Sequence, residues 1–124
     1  MSVSIQIKGI PEVTKFLSDK DKKIIEVADA TINKMGFYIQ AEVQDSIAGN
    51  RAEPRSVDTG RFLNSVKTTH PQLLVSSIDT NVEYAKCLEY GTSRIAPRSH
   101  FRNTVDRNEH IVKEQVDKAI KEII

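Results

Sequence analysis

Residues 23–50, KIIEVADATINKMGFYIQAEVQDSIAGN, decide the fold. Ile24, Val27, Ala28, Thr31, Ile32, Met35, Ile39, Val43 and Ile47 recur at steps of three and four, which gathers them on one side of a helix. The spacing predicts a single long helix, capped at Ser18 or Asp19 and stopped at Gly49. Gly36 interrupts the pattern at a cost of about 1 kcal/mol against alanine, and is expected where another element packs close.

On the N-terminal side, Val3, Ile5 and Ile7 alternate with Ser4, Gln6 and Lys8, the period of a half-buried strand, ended by Gly9. Pro11 can then open a short helical segment with Val13, Phe16 and Leu17 on one side. On the C-terminal side, residues 49–57 read as a loop around Pro54. Asp58 or Thr59 can cap a short helical turn, GRFLNSV. Strands are predicted over 65–69 and 73–80, with a turn at His70–Pro71. A helix over 82–90 would bury Tyr84, Cys87 and Leu88 on one face and stop at Gly91. From about Ser99 a long amphipathic helix follows, with Phe101, Val105, Ile111 or Val112, Val116, Ala119 or Ile120, and Ile123 as its apolar stripe. The order predicts an α+β domain: a small antiparallel sheet packed against two long helices.

The chain of 124 residues is sized for one domain, 1–124, with a real core. Its apolar share, 39%, is on the low side, a hint that partners supply part of the stability. A net charge of +1 gives no overall pull toward nucleic acid or membrane. Yet every arginine lies between Arg51 and Arg107, and arginine suits interfacial ion pairs. A lone cysteine, Cys87, excludes a disulfide within the chain and a cysteine-based zinc cage. The first ten residues lack a signal-peptide pattern, and no apolar run approaches the ~20 residues of a membrane span. Synthesis and use in a cytoplasm are expected.

The segment from Asp58 to Val105 reads DTGRFLNSV, then strands, then YAKCLEYGTSRIAPRSHFRNTV. It resembles the small neck or tail-component family of long-tailed bacteriophages. The Asp-Thr-Gly-x-Leu-x-x-Ser signature of that family is matched by Asp58, Thr59, Gly60, Leu63 or Phe62, and Ser65. Its Tyr-Ala-x-x-x-Glu-aromatic-Gly-Thr signature is matched by Tyr84, Ala85, Glu89, Tyr90, Gly91 and Thr92, and Pro97, Phe101 and Arg102 match the segment leading into the last helix. A second proline and a leucine usual near Phe101 are replaced by Ser99, His100 and Asn103.

The resemblance implies a virion protein, made in the host bacterial cytoplasm, that forms a homo-oligomeric ring, six- or twelve-fold, and joins tail to head. Its implied partners are itself, other phage connector and tail proteins, and DNA passing non-specifically through the lumen. No cofactor, metal or catalytic residue is implied. Assembly candidates are Arg51, Arg55, Arg61, Tyr84, Glu89, Tyr90, Arg94, Arg98, Phe101 and Arg102, because arginines and aromatic anchors near turns are common at interfaces. Asp58, Thr59, Gly60, Gly91, Thr92 and Pro97 read as determinants of the fold. The loop 49–57 is expected to be mobile in the free subunit, to order against a neighbour, and to be dispensable for folding.

Two other readings compete. Asp58-Thr59-Gly60 is also the signature of aspartic proteases, whose small forms are dimers with two facing carboxylates. Against it, the motif here lies between long helices, and Arg61 follows where a small apolar residue belongs. Arg94, Arg98, Arg102 and Arg107 could bind phosphate as a basic stripe, but Asp106 and Glu109 lie close and no aromatic base platform accompanies them. The alternative for these arginines is inter-subunit pairing with Glu83 or Glu89. His70 reads as a turn residue, His110 as solvent-facing, and Cys87 as a buried thiol rather than a nucleophile.

Overall fold

A computed structural model of the chain describes residues 3–8, 22–57 and 60–122. Its elements in order are β1 (Val3–Lys8), α1 (Lys22–Ile47), α2 (Arg61–Ser65), β2 (Lys67–Gln72), β3 (Val75–Thr80), α3 (Ala85–Tyr90) and α4 (His100–Lys121). The strands form one antiparallel sheet in the order β1-β3-β2, so the fold is the expected α+β arrangement of a small sheet against two long helices. The helix cap at Ser18 or Asp19, the segment after Pro11 and the cap at Asp58 or Thr59 fall outside the described residues.

The register follows from the alternation in β1. Val3, Ile5 and Ile7 stand opposite Thr80, Ile78 and Ser76, and all six share the face that meets α1. Thr68 adds to that face from β2, donating from Oγ1 to Gln40 Oε1 at 2.7 Å and to the Gly36 carbonyl at 3.2 Å. Gly36 permits this approach: a Cβ there would stand 1.9 Å from Ser76 Oγ and 2.9 Å from Thr68 Cγ2. The core joins Ile39, Val43 and Ile47 of α1 to Val3, Ile78, Phe62, Val66, Val82, Ala85 and Phe101.

α4 runs antiparallel along α1. Near its start His100 meets Ser46; midway the Tyr38 hydroxyl donates to Asn108 Oδ1 at 2.9 Å. Further on, Val116 and Ile120 pack against Ala28, Ile32 and Leu74. Leu74 holds a left-handed φ of 62° at the β2–β3 turn. Its side chain is buried and its N–H donates to Asp29 Oδ1 at 2.7 Å, so packing and a charged acceptor offset the strain.

Several local expectations change. His70 lies within β2, not in a turn, and its Nε2 stands 3.0 Å from Asp29 Oδ1. The turn falls later, at Leu73–Leu74, after a bulge between Thr69 and Gln72 that carries Pro71 on an edge strand. Cys87 is exposed; the buried face of α3 is Ala85 and Glu89, with Leu88 partly covered. α4 begins at His100, so Arg94 and Arg98 precede it, and no helical stripe of arginines forms. Among the described residues, no helix is long and apolar enough to cross a membrane.

Candidate functional site: a polar clasp and an arginine-bearing surface

At the C-terminal end of α1, the apolar stripe admits one small polar residue, Ser46, which is fully buried. Such a hydroxyl needs a partner. The chain supplies two, from elements far apart in sequence. Ser46 Oγ lies 2.5 Å from Glu53 Oε1 and 2.7 Å from His100 Nδ1. Glu53 comes from the loop after α1, and only 5% of it is exposed. Its carboxylate also accepts Arg107 Nη1 at 2.6 Å, Arg107 Nη2 at 2.8 Å and Asn103 Nδ2 at 3.3 Å, all from α4.

The protons in this chain can be ordered. Ser46 has one hydroxyl proton, and a carboxylate offers it only an acceptor, so that proton goes to Glu53. The Ser46–His100 contact then needs a proton on Nδ1. In a neutral ring Nε2 is left as an acceptor, and Ser56 Oγ, 2.7 Å away, donates to it. Arg98 Nη1 donates in turn to Ser56 Oγ at 2.8 Å and to the Arg55 carbonyl at 2.9 Å. The sequence of donors runs from Arg98 through Ser56, His100 and Ser46 to Glu53.

The electrostatics agree with this ordering. Burial acts to raise the pKa of Glu53. Hydrogen bonds from Arg107, Ser46 and Asn103, with the charge of Arg107, outweigh it and bring the carboxyl down to about 2. Burial pushes the His100 imidazole down to about 4; Glu53 opposes this, and the charges of Arg98 and Arg107 add to it. A neutral His100 is therefore the form at neutral pH. Although serine, histidine and glutamate meet here, Ser46 gives its proton to the carboxylate, and both Ser46 and His100 are wholly enclosed. The group acts as a clasp that holds residues 53–56 against α1 and α4. The Ser56 N–H donates to the Ile47 carbonyl at 2.7 Å and closes the same loop on the end of α1.

A second buried carboxylate organises the start of α4. Ser99, at the N-cap position, has a left-handed φ of 47° and makes no side-chain cap; its Oγ donates to the Glu89 carbonyl at 3.0 Å. Glu89 supplies the cap instead, its two oxygens accepting the Phe101 and Arg102 N–H groups at 2.9 and 3.0 Å. These N–H groups carry the positive end of the helix dipole, which favours a carboxylate.

The expected assembly residues separate into distinct environments. Glu89 and Phe101 are buried and hold the fold together, which removes Glu89 as an inter-subunit partner. Arg51 is engaged within its own chain, by Glu42 at 3.0 and 3.1 Å and by Asp45 at 3.3 Å. Tyr84 is partly exposed and meets Phe62 edge to face at 5.9 Å. Tyr90 is 67% exposed and Ile95 is 41% exposed. Arg55, Arg61, Arg94 and Arg102 are exposed and Arg98 is half-buried.

Tyr90 ends α3, and Arg94, Ile95 and Arg98 belong to the excursion that follows it and folds back on itself. Thr92 N–H bonds the Ile95 carbonyl at 2.8 Å, Thr92 Oγ1 accepts from the Arg94 and Ile95 N–H groups, and Arg98 N–H bonds the Leu88 carbonyl at 2.7 Å. Gly91 (φ 76°) makes the fold-back possible: a Cβ there would lie 2.8 Å from Pro97 and from the Ile95 carbonyl oxygen. Gly60 sits at the start of α2 with φ 82°. Asp58 and Thr59 lie outside the described residues.

Sequence reasoning missed Ser46, Glu53, Ser56, His100 and Arg107 as one unit. The usable signal was Ser46 itself, a polar residue on the buried face of an otherwise apolar stripe. Among the described residues, no three His, Cys, Asp or Glu side chains are grouped to hold a metal ion. No protein-family model, curated protein or solved structure matches the chain.

Proposed function

We propose that the chain is a structural subunit of a tailed-bacteriophage particle, forming a ring at the head–tail junction or at the tail end, and that it is not an enzyme. The reading rests on the resemblance of residues 58–105 to phage neck and tail components. The observation that supports it is the surface formed by the end of α3 and the excursion after it, which begins at the last residues of the second family signature, Tyr90, Gly91 and Thr92. It presents Tyr90, Ile95, Arg94 and Arg98 on a segment held by backbone and side-chain hydrogen bonds. Exposed aromatic and arginine side chains on a rigid support suit protein–protein contact. The remaining local features, a clasp and a carboxylate cap, are devices of shape.

Disruption of the gene in the parent phage tests the proposal. Full heads and separate tails are expected, with joining restored by the wild-type gene. Normal infectious particles would overturn it. Negative-stain electron microscopy of the purified protein over a concentration series should show rings with a central hole and give their symmetry.

A further inference from the structure

Six arginines of the central region can be compared by what their guanidinium groups touch. Arg51 and Arg107 are paired with carboxylates of their own chain. The side chains of Arg55, Arg94 and Arg102 make no hydrogen bond or ion pair with any described residue. Arg98 differs again. It is half-buried and fixed in place, yet both acceptors it reaches are neutral, the Arg55 carbonyl and Ser56 Oγ, and both use Nη1. Among the described residues, Nε and Nη2 of Arg98 have no partner, although a guanidinium fork is built to take a carboxylate along one edge.

The nearby carboxylates are already committed. Glu53 is taken up by Arg107, Ser46 and Asn103, and Glu89 by the first turn of α4. Residues 51–107 hold nine Lys and Arg against six Asp and Glu, while the rest of the chain holds nine against eleven. The central region therefore has an excess of positive charge, and the flanks an excess of negative charge.

We propose that the free edge of the Arg98 guanidinium, whose Nη1 is held by the backbone carbonyl of exposed Arg55, is the recognition site for a carboxylate carried by a second copy of this chain. This rests on the assembly reading above and specifies one of its contacts. The excursion adds only arginines as its cations, exposes Ile95, and starts directly after the exposed Tyr90 at the end of α3. That is the composition of a protein interface rather than of a surface that tracks a phosphate backbone. Because the Arg98 side chain is ordered before contact, little rotamer freedom is lost when the carboxylate arrives. The complementary excess of acid lies on this chain's own flanks, which makes a neighbouring copy a sufficient source.

The test is sedimentation velocity from micromolar to millimolar protein, for the wild type, Arg55→Glu, Arg98→Lys and the Arg55→Glu/Arg98→Glu pair, with thermal unfolding of each. Arg55→Glu removes no side-chain bond of the clasp, so its fold should be kept even if the pair unfolds. The wild type should self-associate, less so at high salt. Arg55→Glu should weaken association by about tenfold or more, and Arg98→Lys, which keeps charge but not the fork, by less.

Association of Arg55→Glu and Arg98→Lys equal to wild type overturns the interface but leaves ring assembly through another surface. A wild type that is monomeric throughout overturns self-docking, whereas the head–tail assignment is decided separately by gene disruption. In parallel, a short labelled DNA duplex is titrated with each protein. Arginine-dependent duplex binding without arginine-dependent self-association would identify the anion as phosphate and overturn the assignment.

Discussion

His100 gives the sharpest test of the clasp, because its environment predicts how stability must change with pH. In the folded protein the ring is held neutral, with a pKa lowered from 6.5 to about 4. A base with a depressed folded pKa binds fewer protons folded than unfolded between those two values. Its contribution is thus favourable above the unfolded pKa and declines as pH falls from about 6.5 toward about 4. Between pH 7 and pH 4.5 the linkage is worth about 2 kcal/mol. Protonation would also require Ser56 to turn its hydroxyl toward the Pro54 carbonyl at 3.3 Å, and would set a third cation between Arg98 and Arg107. The assay is urea denaturation from pH 7 to pH 4.5, comparing wild type with His100→Gln. The variant should be less stable at pH 7, because a buried donor and acceptor are imperfectly replaced. Its deficit should shrink by about 2 kcal/mol at pH 4.5, since glutamine does not titrate. Parallel stability curves for the two proteins would refute the buried neutral ring and the proton order derived from it.

Four further outcomes follow from the same geometry. Glu53→Ala leaves Arg107, Ser46 and Asn103 without their acceptor and should cost about 3 kcal/mol, the lower end for breaking a buried pair because Arg107 can rehydrate; chemical denaturation measures it. Acid acts on the same group: the Glu53 contribution is complete above its ordinary carboxyl value of 4.5 and is lost as pH falls through about 2, so wild type should lose a further increment there that Glu53→Ala lacks. Gly36→Ala should destabilise by about 1–3 kcal/mol despite better helix propensity, and Ser76→Ala should recover part of that loss; thermal melts of the four proteins in this cycle measure the coupling. Glu89→Gln should cost about 1–2 kcal/mol and speed amide exchange in the first turn of α4, because one amide oxygen replaces two charged acceptors.

The elements legible in the sequence are those whose burial has a single period. β1, the stripe on α1 and the existence of α4 follow from alternation or from three- and four-residue steps, since each presents one apolar face to one core. α4 exposes the limit of such reading. Its first buried positions are His100, Phe101, Thr104 and Asn108, three of them polar, and hydropathy assigns polar residues to water. His100 is bonded by Ser46 and Ser56 and Asn108 by Tyr38, across 44 to 70 residues, so no local pattern announces the pairing. The same reasoning explains Glu89. An acidic residue beside Tyr90 looks like a surface charge until the start of α4 is placed over it. Cys87 faces outward rather than into the core because helix phase in a six-residue segment is set by what packs on it, and Ala85 with Glu89 takes the inner side.

The clasp also changes what the loop after α1 can do. Removing residues 49–57 would delete Glu53 and Ser56, so buried His100 and Ser46 and half-buried Arg107 would lose charged or hydrogen-bonded partners together. Loss of the fold, rather than loss of assembly alone, is the expected result. Burying a carboxylate and an imidazole where apolar side chains could pack brings no obvious gain in stability, because desolvation offsets the attraction. What the arrangement does provide is position. Glu53 and Ser56 hold the loop from below, Ser56 orients Arg98, and Arg98 spans the loop and the excursion before α4. The contact surface proposed above would be assembled from two separate loops, and a tie of this kind would fix their relative position before any second copy arrives.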